Sequence, residues 1–225
     1  MATPNKPQPT PRGYARFPKL VEPDDYLGKV QYKTDLVFDP SDPEVSEFIE
    51  GLKATADAAL AQAKQEIQEK IDGAKNGAEA KKHTKALEAV ELAPFIHDVE
   101  DRETGEPTGK VFLRFKTNAD DRNGNRKSLR FVDAQGSTFV PQGDIPFNSL
   151  LRVNFTPNGF YMASQGKVYL TNYINAVQVI ELGSSGGGGG DDLGFGVEEG
   201  GFVASNQTEE VSVGSVSDSD AQPDF

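Results

Sequence analysis

The sequence predicts a mainly β protein with a helical insertion, an OB-fold-like Greek-key barrel followed by a disordered acidic C-terminal tail. Three observations support this fold class: segments with a two-residue apolar period, one segment between them with a helical period, and a final stretch rich in glycine and acids. The predicted organisation is a flexible N-terminal arm over residues 1–12, a barrel over 13–182 with a helical insertion over about 43–92, and a hinge and tail over 183–225.

Alternating apolar positions predict the barrel strands. Within residues 29–38, Tyr32, Thr34, Leu36 and Phe38 share one face, and the residues between them share the other. A half-buried strand fits this alternation better than a helix does. The same period predicts further strands, which are Tyr14–Val21, Lys110–Thr117, Ser128–Asp133, Ser149–Thr156 and Lys167–Leu182, the last being one long strand or a pair of strands. Asn-Gly pairs at 123–124 and 158–159 predict tight turns.

Helical periodicity separates the first two strands from the others. Asp42 is a side-chain acceptor suited to the N-cap, and Pro43 suits the first helical position, where its missing N–H is not needed. Apolar residues then recur every three or four positions from Val45 to Ile71, and a second helical pattern covers Ala78–Leu92. Strands interrupted by helices and closed by hairpins indicate a small barrel, of which the five-stranded OB-fold is the commonest with a helix between strands.

Charge is segregated along the chain. The tail contains five consecutive glycines, nine acids and no lysine or arginine, a composition typical of disorder. Removing these nine acids from the total of 35 leaves 26 acids against 23 bases in residues 1–182, a net charge of −3 instead of −12. The acidic balance therefore belongs mostly to the tail and does not exclude an anionic ligand for the barrel.

Composition narrows the class of protein further. The chain has no cysteine, which excludes disulfides and thiolate chemistry and favours a reducing cytoplasm. The first twelve residues are polar and proline-rich, unlike a signal peptide, and no apolar run approaches the roughly 20 residues of a membrane helix. We expect a soluble intracellular protein with no membrane contact.

The sequence offers few residues for catalysis or metal binding. His83 and His97 have no cysteine to complete a zinc site, and the five glycines lack the Lys-Ser/Thr of a phosphate loop. An acidic cluster could hold Mg²⁺ for phosphodiester hydrolysis, although a solvated hairpin explains it as well. Its members are Asp98, Glu100, Asp101 and Glu103. We therefore expect no catalytic residues, no metal and no cofactor.

Basic and aromatic residues are interleaved on the predicted strands. A groove that follows a phosphate backbone while aromatic rings stack on bases is the general mechanism of sequence-independent single-strand binding. Phe115, Phe131 and Phe155 lie in apolar registers and are assigned to the core. The candidate DNA-binding residues are Tyr14, Arg16, Tyr32, Lys33, Arg114, Lys116, Arg130, Arg152, Phe160, Tyr161, Lys167 and Tyr169.

Four short stretches carry a resemblance that spans nearly the whole chain. They are residues 31–36 (QYKTDL), 177–182 (VQVIEL) before the glycines, 201–205 (GFVAS) and the terminal Asp224-Phe225. In this order they resemble the replicative single-stranded DNA-binding proteins of tailed bacteriophages. The resemblance implies an OB barrel acting in DNA replication and recombination in the cytoplasm of the infected bacterial host.

The resemblance also implies roles for particular residues. The tail is expected to bind the phage DNA polymerase and other replisome proteins, with the terminal aromatic at Phe225 required for that contact. The candidate partner-binding residues are Asp218, Asp220, Asp224 and Phe225. Stacking aromatics of the family would correspond to Phe160 or Tyr161.

Two functional hypotheses therefore remain. The first is a non-enzymatic protein that coats single-stranded DNA and recruits partners through its tail. The second is an interaction protein, such as a chaperone, that holds basic clients with the tail and binds no nucleic acid. Either protein could be a monomer or a homodimer.

Overall fold

The computed structural model describes residues 6–121 and 123–183. Ten strands and two helices form its regular structure. In chain order they are β1 (Gln8–Pro9), β2 (Gly13–Tyr26), β3 (Lys29–Phe38), α1 (Pro43–Asp72), α2 (Gly77–Ala89), β4 (Glu91–Leu92), β5 (Ile96–Glu100), β6 (Pro107–Asn118), β7 (Arg130–Val132), β8 (Thr138–Phe139), β9 (Leu150–Met162) and β10 (Lys167–Glu181). Neither α1 nor α2 is long and apolar enough to cross a membrane.

Five long strands close into a barrel in the order β2, β3, β6, β10, β9 and back to β2. The barrel closes where β2 pairs with β9, with Gly13 opposite Leu151 and Tyr14 opposite Leu150. All of these pairings are antiparallel except that of β6 with β10. A closed Greek-key barrel of five strands is the OB architecture, so the predicted fold class is confirmed.

Aromatic and branched aliphatic side chains fill the barrel. Phe115 and Phe155 are fully buried and meet edge to face, with ring centroids 5.1 Å apart. Phe131 is also buried, so the three phenylalanines assigned to the core by their register do lie there. The N-terminal part of α1 completes the core with Val45, Ile49 and Leu52.

The helical insertion begins as the sequence predicts. Asp42 is the N-cap of α1, and its side chain accepts a hydrogen bond from the backbone N–H of Glu44. Beyond the barrel, α1 and α2 pack on the end of the β9–β10 hairpin. They form a second apolar cluster there around Ala63, Ile67 and Val168.

Two predictions about local structure are wrong. Residues 8–12 are not a flexible arm, because β1 pairs with β9 and Thr10 is buried. The Thr10 N–H donates to the Val153 carbonyl, and the Val153 N–H donates to Thr10 Oγ1, both at 3.0 Å.

Residues 158–159 are not a turn either. They lie inside β9, paired with Thr171 and Leu170, and the hairpin turns instead between Met162 and Lys167. The glycine serves a different purpose, because a Cβ at Gly159 would lie 2.3 Å from the Cβ of Ala59 on α1. The other Asn-Gly pair does form a turn, with Gly124 at φ 81° and its N–H bonded to the Asp121 carbonyl.

Candidate nucleic-acid interface

A cleft of about 380 Å³ lies on the outer surface of β2, β3 and β6. It is lined by polar, basic and aromatic side chains, together with the backbone between them. The lining residues are Phe17, Asp24, Tyr26, Lys29, Gln31, Lys33, Thr34, Asp35, Arg114 and Lys116. The face formed by the second and third barrel strands is where OB-folds bind oligonucleotides, and here those strands are β3 and β6.

Register explains why the basic residues meet. Lys33 lies directly opposite Lys116, and Asp35 lies opposite Arg114, on neighbouring antiparallel strands. Side chains opposite each other on one face of a sheet are about 5 Å apart at Cβ. The outward positions of β3 and β6 therefore form one cationic surface.

Two ion pairs organise this surface. Arg114 Nε and Nη2 donate to the two carboxylate oxygens of Asp35, at 3.0 and 3.4 Å, and this bonding raises the pKa of Arg114. Lys33 Nζ lies 2.6 Å from Asp24 Oδ2. Four bases against two acids leave the cleft with a net charge of +2.

The remaining positive charge belongs to Lys29 and Lys116. Neither makes an ion pair with any residue in the described part of the chain. Burial lowers the pKa of Lys116, and repulsion from Lys29 and Arg114 lowers it further. A phosphate placed between these side chains would relieve that repulsion.

Aromatic rings flank the cations. Phe17 lies where β2 slips in register against β3, with φ of 49°, and its ring is largely exposed. The Arg16 guanidinium lies between rings, 5.4 Å from the centroid of Phe17 and 5.1 Å from that of Phe112. Tyr26 is exposed at the opposite end of β2.

A second aromatic surface lies on the outer face of the β9–β10 hairpin. Phe160 and Tyr169 are cross-strand partners, and their rings stack with centroids 5.6 Å apart and planes inclined by 22°. Tyr173 is exposed farther along β10 and is paired in register with Lys116 of β6. The helical insertion packs against the other face of this hairpin, and this packing holds the two strands that carry the rings in place.

Several predicted site residues fall on these two surfaces. Lys33, Arg114 and Lys116 line the cleft, while Tyr14 and Arg16 occupy outward positions earlier on β2. Phe160 and Tyr169 form the stacked pair on the hairpin.

Other predicted site residues lie elsewhere. Tyr32 is only 3 % exposed, and its hydroxyl donates to the Lys127 carbonyl at 2.5 Å, so its ring belongs to the core and is not available to a base. Tyr161 points to the opposite face of β9 from Phe160 and packs against the helical cluster. The interpretation of Tyr32 as a stacking residue is therefore wrong, whereas a stacking role for the partly buried Tyr161 stays a prediction.

Besides Arg16, three predicted basic residues do not line the cleft. Arg152 pairs with Glu44 at the start of α1, at 3.0 Å, and Lys167 pairs with Glu91, at 3.3 Å. Arg130 is exposed on β7, beside the far end of β10. Asp218, Asp220, Asp224 and Phe225 lie outside the described residues.

The sequence prediction missed seven of the ten residues that line the cleft, which are Phe17, Asp24, Tyr26, Lys29, Gln31, Thr34 and Asp35. The signal available for Tyr26 was a large aromatic side chain next to Leu27-Gly28, in a turn where small polar residues are usual. Nothing in the local pattern identified Phe17, because its exposure depends on the register slip of β2.

The chain is similar to solved structures of phage proteins. One is gp2.5, a single-stranded DNA binding protein encoded by bacteriophage T7, with 21% identity and a TM-score of 0.61 over 89% of this chain and 99% of that chain. The chain has the fold of a phage single-stranded DNA-binding protein. The resemblance inferred from the sequence is confirmed at the level of structure.

A second solved structure is the single-stranded DNA-binding protein from bacteriophage Enc34 in complex with ssDNA. It has 12% identity and a TM-score of 0.48, covering 80% of this chain and 88% of that chain. Comparison with protein-family models and with curated proteins gives no match.

Proposed function

We propose that this protein binds single-stranded DNA without sequence preference and has no enzymatic activity. The observation that carries the proposal is the cleft on β2, β3 and β6, which has a net charge of +2 and is flanked by exposed aromatic rings. Its position on the oligonucleotide-binding face of an OB barrel supports the same function.

The backbone of the strand lies along the cations in this proposal. Lys29 and Lys116 contact phosphates directly. Lys33 exchanges its ion pair with Asp24 for a phosphate, because solvent-exposed pairs contribute only about 0–1 kcal/mol. Arg114 keeps its contact with Asp35 and offers its remaining N–H groups, since a guanidinium has five donors.

Bases stack on the aromatic rings, which accept any base because every base has an apolar face. Phe17 and Tyr26 are the platforms in the cleft, and each stacked base contributes roughly 1–3 kcal/mol. The Phe160–Tyr169 pair extends the path onto the β9–β10 hairpin. No contact in this arrangement reads a base edge, which accounts for the absence of sequence preference.

The cellular role in this proposal is phage DNA replication and recombination, in the cytoplasm of the infected bacterial host. The tail recruits the phage DNA polymerase and other replisome proteins through Asp218, Asp220, Asp224 and Phe225. Its nine acids and lack of bases support a role as a polyanion that competes with DNA, since a tethered competitor has a high effective concentration. Homodimer formation stays a prediction, which sedimentation of the free protein tests.

Titration with oligo-dT at several salt concentrations tests the proposal. The logarithm of affinity should fall with the logarithm of salt with a slope of roughly −0.7 for each phosphate contacted. The variant Lys29→Gln/Lys116→Gln should weaken binding and reduce the slope by about 1.4, two contacts of about 0.7 each.

The matched control is Lys81→Gln/Lys82→Gln, which removes two exposed lysines from α2 and should leave the slope unchanged. Equal slopes for both variants would place the DNA elsewhere. A wild-type protein that shows no salt dependence, or that requires a particular sequence, would contradict the proposal itself.

The acidic tail favours one alternative function, that of an interaction protein that binds basic client proteins and does not bind DNA. Deleting residues 184–225 separates the two functions. A DNA-binding barrel should bind oligo-dT at least as tightly without this competing polyanion, whereas a client-holding protein should lose its activity.

A further inference from the structure

The tip of the β2–β3 hairpin has an unusual sequence for its geometry. Tyr26 pairs with Lys29, which leaves Leu27 and Gly28 as a two-residue turn with φ of 53° and 75°. Positive φ at both central residues defines a type I′ turn, in which Asn-Gly, Asp-Gly and Gly-Gly are strongly preferred. Leucine is disfavoured there because its Cβ crowds the backbone in the left-handed region.

Leu27 also gains nothing from packing. Its side chain is 89 % exposed, and neighbouring Tyr26 is 70 % exposed. A residue that is strained in its backbone and buries no apolar surface weakens the fold compared with asparagine. Departures of this kind from local sequence preference are expected at functional sites.

The tip stands at the end of the cationic cleft. Tyr26, Lys29 and Phe17 line that cleft, and Phe17 is itself 57 % exposed. Two aromatic rings therefore adjoin the positive charge, and Leu27 follows Tyr26 directly in the turn. An apolar cluster beside cations suits a partner that combines flat apolar faces with negative charge. Nucleobases joined by phosphates have this combination.

We propose that Leu27, supported by Tyr26, is a wedge that separates stacked bases where single-stranded DNA meets a paired region. This inference rests on the proposed function, since the strand must already lie in the cleft. Lys29 holds the phosphate beside the junction, and the leucine side chain enters the gap between base steps. Proteins that kink or unstack DNA use apolar side chains such as leucine in this way. The protein would then open base pairs actively instead of waiting for them to separate.

A DNA hairpin with a fluorophore and quencher on its stem and a single-stranded dT overhang tests the proposal in the full-length protein. The opening rate is measured at saturating protein and compared with the spontaneous rate, which is obtained by trapping with excess complementary strand. Wild-type protein should open the stem faster than the spontaneous rate.

The decisive variant is Leu27→Asn, which restores the preferred Asn-Gly turn and should make the protein slightly more stable. Its affinity for unstructured oligo-dT should change little, whereas its opening rate should fall at least about tenfold, because unstacking a base step costs a few kcal/mol and about 1.4 kcal/mol is tenfold in rate. Val140→Asn is the matched control, since Val140 is 88 % exposed, about as much as Leu27, but follows β8 instead of lying at the β2–β3 hairpin tip. That control should open hairpins at the wild-type rate.

Two results would overturn the inference while leaving the proposed function intact: wild-type protein that binds oligo-dT but opens hairpins only at the spontaneous rate, and Leu27→Asn that opens them as fast as wild type. The second result would indicate that the tip serves another partner, such as a protein. Failure of wild type to bind oligo-dT would instead refute the proposed function, and the wedge with it.

Discussion

Replacing Gly159 by alanine is expected to destabilise the protein, because β9 and α1 touch at this position. The new Cβ would lie 2.3 Å from the Cβ of Ala59, whereas ordinary contacts begin at 3.4 Å. Strand and helix must therefore separate by about 1.1 Å, the difference between those two distances. Overpacking of this kind costs about 1–3 kcal/mol, which corresponds to a fall in Tm of about 2–12 °C for a protein of this size.

Thermal and urea unfolding followed by circular dichroism measure the effect. Gly51→Ala is the control, because it lies on the same helix with open space around it and should stabilise the protein by about 0.5–1 kcal/mol. The combined variant Gly159→Ala/Ala59→Gly removes the overlap and should recover stability, apart from the roughly 1 kcal/mol that glycine costs inside a helix. A Gly159→Ala protein as stable as wild type would refute the close contact between β9 and α1.

Three further predictions concern a core tyrosine, a lysine of the cleft and the last residue of the tail. Tyr32→Phe removes the buried hydrogen bond to the Lys127 carbonyl, so it should cost about 1 kcal/mol in urea unfolding while oligo-dT affinity stays the same; a large loss of affinity would return Tyr32 to the interface. Oligo-dT affinity should fall as pH rises through the pKa of Lys116, which is lowered from 10.5. Above that pKa the free protein has lost the Lys116 proton, whereas the DNA complex keeps it. Titration at increasing pH should therefore show a weaker pH dependence of affinity in Lys116→Gln. Phe225→Ala should leave oligo-dT affinity almost unchanged and weaken capture of the phage DNA polymerase in a pull-down, and loss of DNA binding would contradict the separate roles of cleft and tail.

Strand β3 shows what the alternation of polar and apolar residues can predict and what it cannot. Its bounds, Lys29–Phe38, match the predicted strand, because polar and apolar residues alternate along most of its length and turn residues flank it. The same alternation placed Tyr32 on the face of Leu36 and Phe38, and that face is the buried one. The error over Tyr32 arose from treating an aromatic residue as a stacking platform without regard to the face it occupies.

Three of the four cations of the cleft, Lys33, Arg114 and Lys116, could be predicted because they occupy outward positions of regular strands. The hairpin tip and Phe17 could not, since alternation gives no information about turns or register slips. The apparent turn at Asn158-Gly159 failed for a related reason. A glycine required for close packing of a strand against a helix cannot be distinguished in sequence from a glycine in a turn. Here only the position of Ala59, next to Gly159, shows which of the two applies.

Closure of the barrel has a consequence for how the chain folds. The N-terminal strands complete the barrel only by pairing with β9, and the contact of Thr10 with Val153 spans 143 residues. Barrels dominated by such distant pairings fold in roughly milliseconds to seconds, because loop-closure entropy is lost before the contacts form. During synthesis the barrel cannot close until β9 and β10 have left the ribosome, whereas α1 and α2 can form early from local contacts. Refolding should therefore show rapid gain of helical signal, followed by a slower phase in which the β-barrel is completed.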